Sequence, residues 1–434
     1  MQLQTEKKKR FKMPIYVVKK LDTSKKAYWI TKIIGCLIAF LLAGVICTIF
    51  SPGTFGIFYR EMFLGCFDFS DFETILELLE TAGLLLLVAF ALAPAFKMKF
   101  WNIGAEGQIL IGCLMTATVT YFMPKGTSDW ITIPVAFVCA VLASVIWAVI
   151  PAIFKAFFNT NETLFTLMMN YIAMAIISTC ISAWVKSGSQ VFPYLTNGGL
   201  PELFDMKYII NIIVVILVVS SLIVYLKRTK HGYELTVVGE SVNTARYVGI
   251  NVKLVIIRTL ILSGAVSGIV GFLLVAGHHH TLSTTLADGR GFTGVLIAWL
   301  GQFEPLQMGI YAFLVAIFQR GSTHAASEIG MSKSEFSAIV TGMFFLVIIA
   351  CQFFVNYKIQ VNKDTKVGSF LYSMKCFFID LWNKIANWFK KLFKKKKKNV
   401  EQAENIDSQP VETEIPNEEV KEVEPIKEES EEAK

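Results

Sequence analysis

The chain has 434 residues, of which 54% are hydrophobic and 17% are charged, with a mean hydropathy of +0.54 and a net charge of +7. Soluble globular domains carry about a quarter of charged residues, so this composition excludes an ordinary soluble fold. Apolar stretches of about 20 residues recur along most of the chain, which predicts an all-α, polytopic transmembrane helical bundle.

Charge is concentrated at the two ends of the sequence. Residues 1–29 contain nine Lys or Arg and two acids, which predicts a basic cytoplasmic N-terminal tail. Residues 358–398 combine apolar residues at helical spacing with a run of lysines, which predicts an amphipathic segment on an anionic lipid surface. Packing of this segment against a protein partner is the alternative. The remainder, 399–434, is strongly acidic and is expected to be disordered.

A transmembrane domain is predicted over residues 30–357, with about eight full spans. Because both flanking segments are basic, the N- and C-termini are expected to be cytoplasmic, and an even number of spans agrees with this. The predicted spans are 30–50, 74–96, 104–123, 130–154, 163–185, 207–226, 254–276 and 336–357.

Residues 291–319 contain two further apolar runs, separated by a polar segment at 302–305. Each run is too short for a comfortable span. We expect a short-helix or re-entrant hairpin, of the kind that transport sites use. Two short tilted spans are an equally weighted alternative.

A polar, glycine-bearing turn between the second and third spans is the first candidate site. Asn102, Glu106 and Gln108 offer hydrogen-bond donors and acceptors between two membrane-length segments, where polar groups are costly unless they face water or protein. We predict that they border a substrate pathway. The alternative is structural, with Glu106 capping the following helix or pairing with a lysine.

A role in the substrate pathway and a purely structural role are also the two alternatives for Asn161, Glu162 and Asn170. The first two stand at a helix start, where a polar cap and an acid are favourable without a ligand. Asn170 is deeper and is the preferred pathway candidate of the three, although a buried Asn often bonds a neighbouring helix.

Several ionisable residues fall near predicted span ends. Glu77 and Glu80 share one helical face and are expected at a solvated entrance. His278, His279 and His280 are expected in an outer loop that faces a binding protein. Three consecutive residues do not suit one metal ion, so no metal or cofactor is expected to be bound by this chain.

The longest predicted inner loop is 227–253. It contains a short helix candidate, Val242–Val248, with Ser241 at the N-cap and Gly249 just after the end. A capped helix in a basic loop predicts docking onto a partner, and a solvated connector is the alternative.

Four segments resemble one family. NIGAEGQ at 102–108, NETLFTLMMNYIA at 161–173, the GYEL to RYVGI string at 232–250 and GRGFTGVLIAWLG at 289–301 resemble bacterial ABC-importer permeases for nucleosides and simple sugars. A further segment, SGAVSGIVG at 263–271, also resembles the family, although Ser267 stands where the family usually has Ala. The similarity extends over about 75–355.

The resemblance implies that loop 227–253 couples the permease to an ABC ATPase. The matching positions are Gly232, Tyr233, Glu234, Gly239, Ala245, Arg246, Tyr247 and Gly249. It also implies a second related permease subunit and an extracytoplasmic, lipid-anchored binding protein in a bacterial plasma membrane. Nucleic acid is not expected as a partner.

Nucleoside uptake is the leading functional prediction, with ribose or another simple sugar second. A stand-alone secondary transporter or channel is the third. Because the sequence contains no G-x-x-x-x-G-K-[ST] motif, the chain is not expected to be an enzyme, and ATP would be used by the partner subunit.

Overall fold

The computed structural model describes residues 15–20, 25–124, 126–185, 191–204 and 206–361. These belong to two compact units. One contains the described residues near both ends of the sequence, up to Leu21 and from Tyr357, and the other spans Asp22–Asn356.

Within the described residues, the second unit is a bundle of helices. Seven of them are long and apolar enough to cross a membrane by length and composition. The helices in chain order are α1 (Lys25–Phe50), α2 (Phe55–Leu64), α3 (Phe72–Lys97), α4 (Ala105–Phe122), α5 (Asp129–Phe158), α6 (Glu162–Trp184), α7 (Ile209–Arg228), α8 (Lys230–Glu240), α9 (Val242–Tyr247), α10 (Val252–Phe272, continued by a π-helical segment, Leu273–His279), α11 (Arg290–Leu300), α12 (Pro305–Ile329) and α13 (Lys333–Asn356).

The seven membrane-length helices are α1, α3, α5, α6, α7, α10 and α13. The remaining predicted span, 104–123, corresponds to α4. This helix has 18 residues and therefore rises about 27 Å, slightly less than the thickness of a typical hydrocarbon core. Glu106 and Gln108 occupy its first turn and are buried in protein. This helix therefore begins inside the bundle.

Close helix contacts at small residues hold the centre together. A Cβ placed on Gly264 would lie 2.7 Å from the Ala148 Cβ of α5, and one on Gly271 would lie 2.5 Å from a backbone oxygen of α4. The backbones of α10, α4 and α5 therefore pack directly on one another, as small residues permit in membranes. Among the seven membrane-length helices, α3 and α10 are the most enclosed, with 78% and 72% of the residues in their most apolar 18-residue stretches buried.

The predicted hairpin consists of α11 and α12. Gly294 packs on Val88, and the Phe303 ring, which follows α11, stacks 6.4 Å from that of Phe96. Hence α11 runs parallel to the second half of α3 and begins near its middle. With 11 residues it is a half-helix, as the hairpin interpretation predicted.

The second arm of the hairpin is longer than predicted. The apolar run ends at residue 319, but α12 continues to Ile329. Its polar half is stabilised by contacts from elsewhere in the sequence: Arg320 pairs with Glu77 of α3, and His324 lies 3.9 Å from Glu61 of α2. Neither the short-helix hairpin nor the two short spans anticipated the full length of this arm.

The first unit contains a two-stranded antiparallel sheet that the sequence analysis did not anticipate. Strand β1 (Ile15–Lys19) pairs with β2 (Tyr357–Val361), with Ile15 opposite Val361 and Lys19 opposite Tyr357. Both strands are rich in β-branched and aromatic residues, which favour a pleated backbone.

Candidate functional site

The polar turn before α4 is fastened to the middle of α10. Asn102 is fully buried, and its amide nitrogen donates to the Ser263 hydroxyl at 3.0 Å while its amide oxygen accepts from the Gly104 backbone N–H at 3.0 Å. The Ser263 hydroxyl in turn donates to the Gln108 side-chain oxygen at 3.2 Å. Asn102 and Gln108 are therefore linked through one serine.

Gln108 accepts two further hydrogen bonds. Its side-chain oxygen also accepts from the Ser267 hydroxyl at 3.2 Å, and its backbone carbonyl accepts from the Ser144 hydroxyl at 2.8 Å. The Ser267 hydroxyl thus adds a second donor to the same amide oxygen. These bonds join α4 to α5 and α10.

Asn170 of α6 holds the turn from the other side. Its side-chain oxygen accepts from the Gly107 N–H at 2.8 Å, and its amide nitrogen donates to the Ile103 carbonyl at 3.0 Å. Because Asn170 is 1% exposed and bonded at both ends of its amide, the structure gives it the interhelical contact that the sequence analysis named as the alternative.

Glu106 connects α4 to the start of α11. One carboxylate oxygen accepts from the Gly289 N–H at 2.9 Å and the other from the Gly291 N–H at 2.7 Å. The first N–H groups of a helix have no partner within it, and a carboxylate there is also favoured by the helix dipole. Glu106 therefore caps a helix, but the helix is α11, which lies almost 200 residues away, and not its own.

The start of α11 can approach Glu106 only because of a glycine. A Cβ on Gly291 would lie 2.4 Å from the backbone nitrogen of Glu106. Two helix starts, those of α4 and α11, thus meet in the interior of the bundle. We define the polar lock as Asn102, Glu106, Gln108, Asn170 and their partners Ser263, Ser267, Gly289 and Gly291.

Two of the six pathway candidates lie apart from the polar lock. Asn161 caps α6 by accepting from the Leu164 N–H at 3.2 Å. Glu162 pairs with Lys155 of α5 at 2.8 Å. Both contacts fasten the junction between α5 and α6.

The predicted solvated entrance is wrong for Glu80, whereas Glu77 is partly exposed and pairs with Arg320. Glu80 is fully buried, and its two carboxylate oxygens bond Asn211 of α7 at 2.5 Å and His278 at 2.8 Å. His278 belongs to the π-helical end of α10 and not to a loop, and its contact with Glu80 fixes it against α3. Among the described residues no group of three His, Cys, Asp or Glu side chains could hold a metal ion.

The loop between α7 and α10 folds into two helices, α8 and α9. The predicted short helix is confirmed: Ser241 accepts from the Thr244 N–H at 3.2 Å at its start. Its end is a Schellman motif, in which Gly249 has φ +81° and the Ile250 N–H donates to the Ala245 carbonyl at 2.9 Å. The preceding helix, α8, was not anticipated.

Close packing holds α8 against the ends of two spans. A Cβ on Gly232 would lie 1.8 Å from the Leu226 carbonyl of α7, and one on Gly239 would lie 2.1 Å from the Lys97 carbonyl of α3. His231 is buried between the Tyr225 and Thr259 hydroxyls, at 3.2 and 3.3 Å, and burial lowers the pKa of its imidazole. Movement of α8 must therefore be shared with α3 and α7.

The eight coupling candidates divide into an inner and an outer set. The inner set, on the buried faces of α8 and α9, consists of Gly232, Glu234, Gly239 and Ala245. Tyr233, Arg246, Tyr247 and Gly249 face outward, and the Tyr247 ring is 91% exposed. An exposed aromatic side chain on a helix with both ends capped suits a protein partner. We call the outward set, with the exposed Val248, the α9 surface.

The chain matches a protein family and several known proteins. The family is described as "Branched-chain amino acid transport system / permease component", and its model matches residues 74–349. The guanosine ABC transporter permease protein NupP of Bacillus subtilis is 30% identical over 271 residues, covering 61% of this chain and 77% of NupP. The nucleoside ABC transporter permease protein NupB of Lactococcus lactis is 24% identical, covering 77% of this chain and 94% of NupB.

A sugar transporter is similarly related. The glucose ABC transporter permease protein TsgB13 of Haloferax volcanii is 26% identical over 307 residues, covering 67% of this chain and 80% of TsgB13. No solved structure matches the chain. Because the family model matches more than half of the sequence and apolar helices account for most of the matched region, the chain is a multi-pass membrane protein that belongs to the ABC transporter permease family of the branched-chain amino acid transport type.

Proposed function

We propose that this chain is the membrane-spanning subunit of an ATP-driven importer that takes up nucleosides. The observation that supports coupling best is the α9 surface, which is exposed while α8 and α9 are anchored by Gly232 and Gly239 to the ends of α7 and α3. Force applied to that surface would reach two spans directly. Similarity to the guanosine and nucleoside permeases supports the substrate.

The proposed partners follow from this arrangement. An ABC ATPase would bind the α9 surface on the cytoplasmic side and would supply the ATP-binding site. A second related permease subunit would complete the pathway, and an external lipid-anchored protein would deliver the nucleoside. No cofactor is assigned to this chain itself.

In this proposal the polar lock has a structural role. Its side chains use their hydrogen-bonding groups to fix α4, α6, α10 and α11, so we assign it to holding the pathway in shape and not to contacting substrate.

The substrate proposal is tested by uptake of labelled adenosine, cytidine, ribose and glucose in cells with and without the gene for this chain. Loss of adenosine and cytidine uptake in the deletion strain is the expected result. Similarity to the glucose permease makes a simple sugar the second candidate, and loss confined to ribose or glucose would establish it.

The coupling proposal is tested by copurification of the ATPase subunit with Tyr247→Ala and Arg246→Glu. Trp130→Ala is the matched control, because Trp130 is an equally exposed aromatic residue at the start of α5, the opposite end of the bundle. We expect the two α9 variants to insert normally but to lose the ATPase, and the control to retain it. Retention by all three would reject the α9 surface as the docking site, and failure of the wild-type chain to copurify an ATPase would support a stand-alone transporter.

A further inference from the structure

Two adjoining cavities lie beside the start of α11, between α3, α12 and α13. The smaller has a volume of about 330 Å³ and is bordered by charged side chains, including Glu77, Arg290 and Arg320. The larger has a volume of about 460 Å³ and is bordered by the rings of Phe292 and Phe345. The residues common to both, which we call the shared wall, are Asp288, Gln319, Thr323, Lys333 and Ser337.

Three buried polar atoms on these walls have no hydrogen-bond partner within the described part of the chain. They are the Nε atoms of Arg290 and Arg320 and the Oγ1 atom of Thr341. An unpartnered buried polar atom is destabilising unless water or a ligand bonds it. The three atoms come from α11, α12 and α13, with Arg290 and Arg320 bordering the smaller cavity and Thr341 the larger. Unpartnered polar atoms beside both cavities favour a polar ligand.

The charges of the smaller cavity suit hydroxyl groups. Arg320 is paired with Glu77, and the cavity also brings the Asp288 carboxylate, the Lys333 ammonium and the Gln319 amide to its walls. Each hydroxyl of a ligand can donate one hydrogen bond and accept others. A wall that mixes carboxylate, amide and cationic donors therefore matches a neutral, polyhydroxylated group.

The larger cavity suits a planar group. Phe292 is 43% exposed, so its ring offers an apolar surface on which a heterocycle can stack. Phe345, which is 6% exposed, adds a small apolar area to the same border. Gly342 lies on the same wall and leaves room beside them. Both volumes fall in the range of about 300–1,000 Å³ typical of small-molecule sites.

We propose that these two cavities form the nucleoside-binding site of the permease, with the ribose hydroxyls at the shared wall and the base beside Phe292 and Phe345. The proposal rests on the proposed function and adds the location and the orientation of the substrate. Glu106 then acts as a positioning residue, because it holds the backbone on both sides of Arg290.

Thr323→Val is the central test, with Thr179→Val as its matched control. The Thr323 hydroxyl donates to the carbonyl four residues earlier in its helix at 2.7 Å, and the Thr179 hydroxyl does the same at 2.8 Å. Thr323 lines both cavities, whereas Thr179 lies on the exposed face of α6. The two substitutions therefore differ only in what surrounds the lost hydroxyl.

The measurement is KM for uptake of adenosine and of 2′,3′-dideoxyadenosine. Losing one hydrogen bond should raise KM for adenosine by about three- to tenfold in Thr323→Val and should reduce its preference over the dideoxy analogue. Phe292→Leu should raise KM for both compounds, and Thr179→Val should change neither. All variants should still copurify with the ATPase.

Equal kinetics of Thr323→Val and Thr179→Val, in cells whose wild-type permease imports adenosine, would overturn the site while leaving the proposed function intact. An unchanged KM in Phe292→Leu would overturn the orientation of the base. Absence of adenosine uptake by the wild type would overturn the proposed function and this site together.

Discussion

Replacement of Glu106 by Gln tests the contact between the starts of α4 and α11. The carboxylate accepts two backbone N–H groups, from Gly289 at 2.9 Å and from Gly291 at 2.7 Å. A Gln side chain keeps the shape but has one acceptor oxygen, and its NH₂ group would face an N–H donor. The substitution therefore removes one charge-assisted bond, leaves a buried donor unpaired and removes a favourable charge from the helix start.

The magnitude follows from these losses. A hydrogen bond to a charged group contributes about 1.5–3 kcal/mol, and a charge in a favourable, partly buried position at a helix end contributes up to about 2 kcal/mol. We expect Glu106→Gln to lower the free energy of unfolding by about 2–4 kcal/mol. Unfolding of the purified chain by SDS titration in mixed micelles measures this difference.

Glu162→Gln is the control for the loss of a carboxylate. Glu162 forms a single ion pair with Lys155, and both side chains are partly exposed, at 13% and 25%, so we expect a loss of about 1 kcal/mol or less. Equal stabilities of the two variants, or a wild-type stability for Glu106→Gln, would refute the reasoning. Adenosine uptake should also fall in Glu106→Gln, because the same backbone holds Asp288 and Arg290.

Three further predictions concern the helix contacts. Gly239→Ala places a Cβ 2.1 Å from the Lys97 carbonyl, so we expect normal membrane insertion but at least a tenfold loss of uptake, measured in cells. Asn170→Leu leaves the Gly107 N–H and the Ile103 carbonyl unpaired, so we expect a loss of about 2–4 kcal/mol in SDS unfolding; a loss below about 1 kcal/mol would contradict the polar lock. Burial lowers the pKa of His231, so below about pH 6.5 the unfolded chain binds a proton more readily than the folded chain. Stability should therefore fall between pH 7.5 and 5.5 more steeply in the wild type than in His231→Gln, and equal slopes would contradict the buried neutral imidazole.

Features of the fold that depend on local sequence were predictable. The apolar runs located the seven membrane-length helices, because span length is set by the bilayer. The caps of α9 were also predictable, because Ser241 and Gly249 act on backbone groups within a few residues. The full length of α12 was not, because its polar half is stabilised by Glu61 and Glu77, more than 200 residues earlier.

In the candidate site, too, local features could be predicted from the sequence and distant contacts could not. The polarity of the segment 102–108 was evident from the sequence, and so was its structural alternative. The actual partners were not, because Ser263 and Gly289 lie more than 150 residues away. Burial of Glu80 was missed for the same reason, since its partners are Asn211 and His278.

The cavity residues of α12 were not singled out, although a signal was present. Gln319, Arg320 and Thr323 are close in sequence and stand at the end of an apolar run. Their spacing places Gln319 and Thr323 on one helical face, which is the face that borders the cavities. The sequence analysis took these polar residues as the end of the apolar run. In the structure they belong to the second half of α12, which borders the cavities.

Reconstitution into liposomes tests the central claim most directly, by measuring adenosine accumulation with the purified chain alone and with its ATPase and second permease subunit. We predict accumulation only in the complete complex, only with ATP, and not when Tyr247→Ala replaces the wild-type chain. Accumulation by the chain alone, or by a complex whose α9 surface has been altered, would contradict the account.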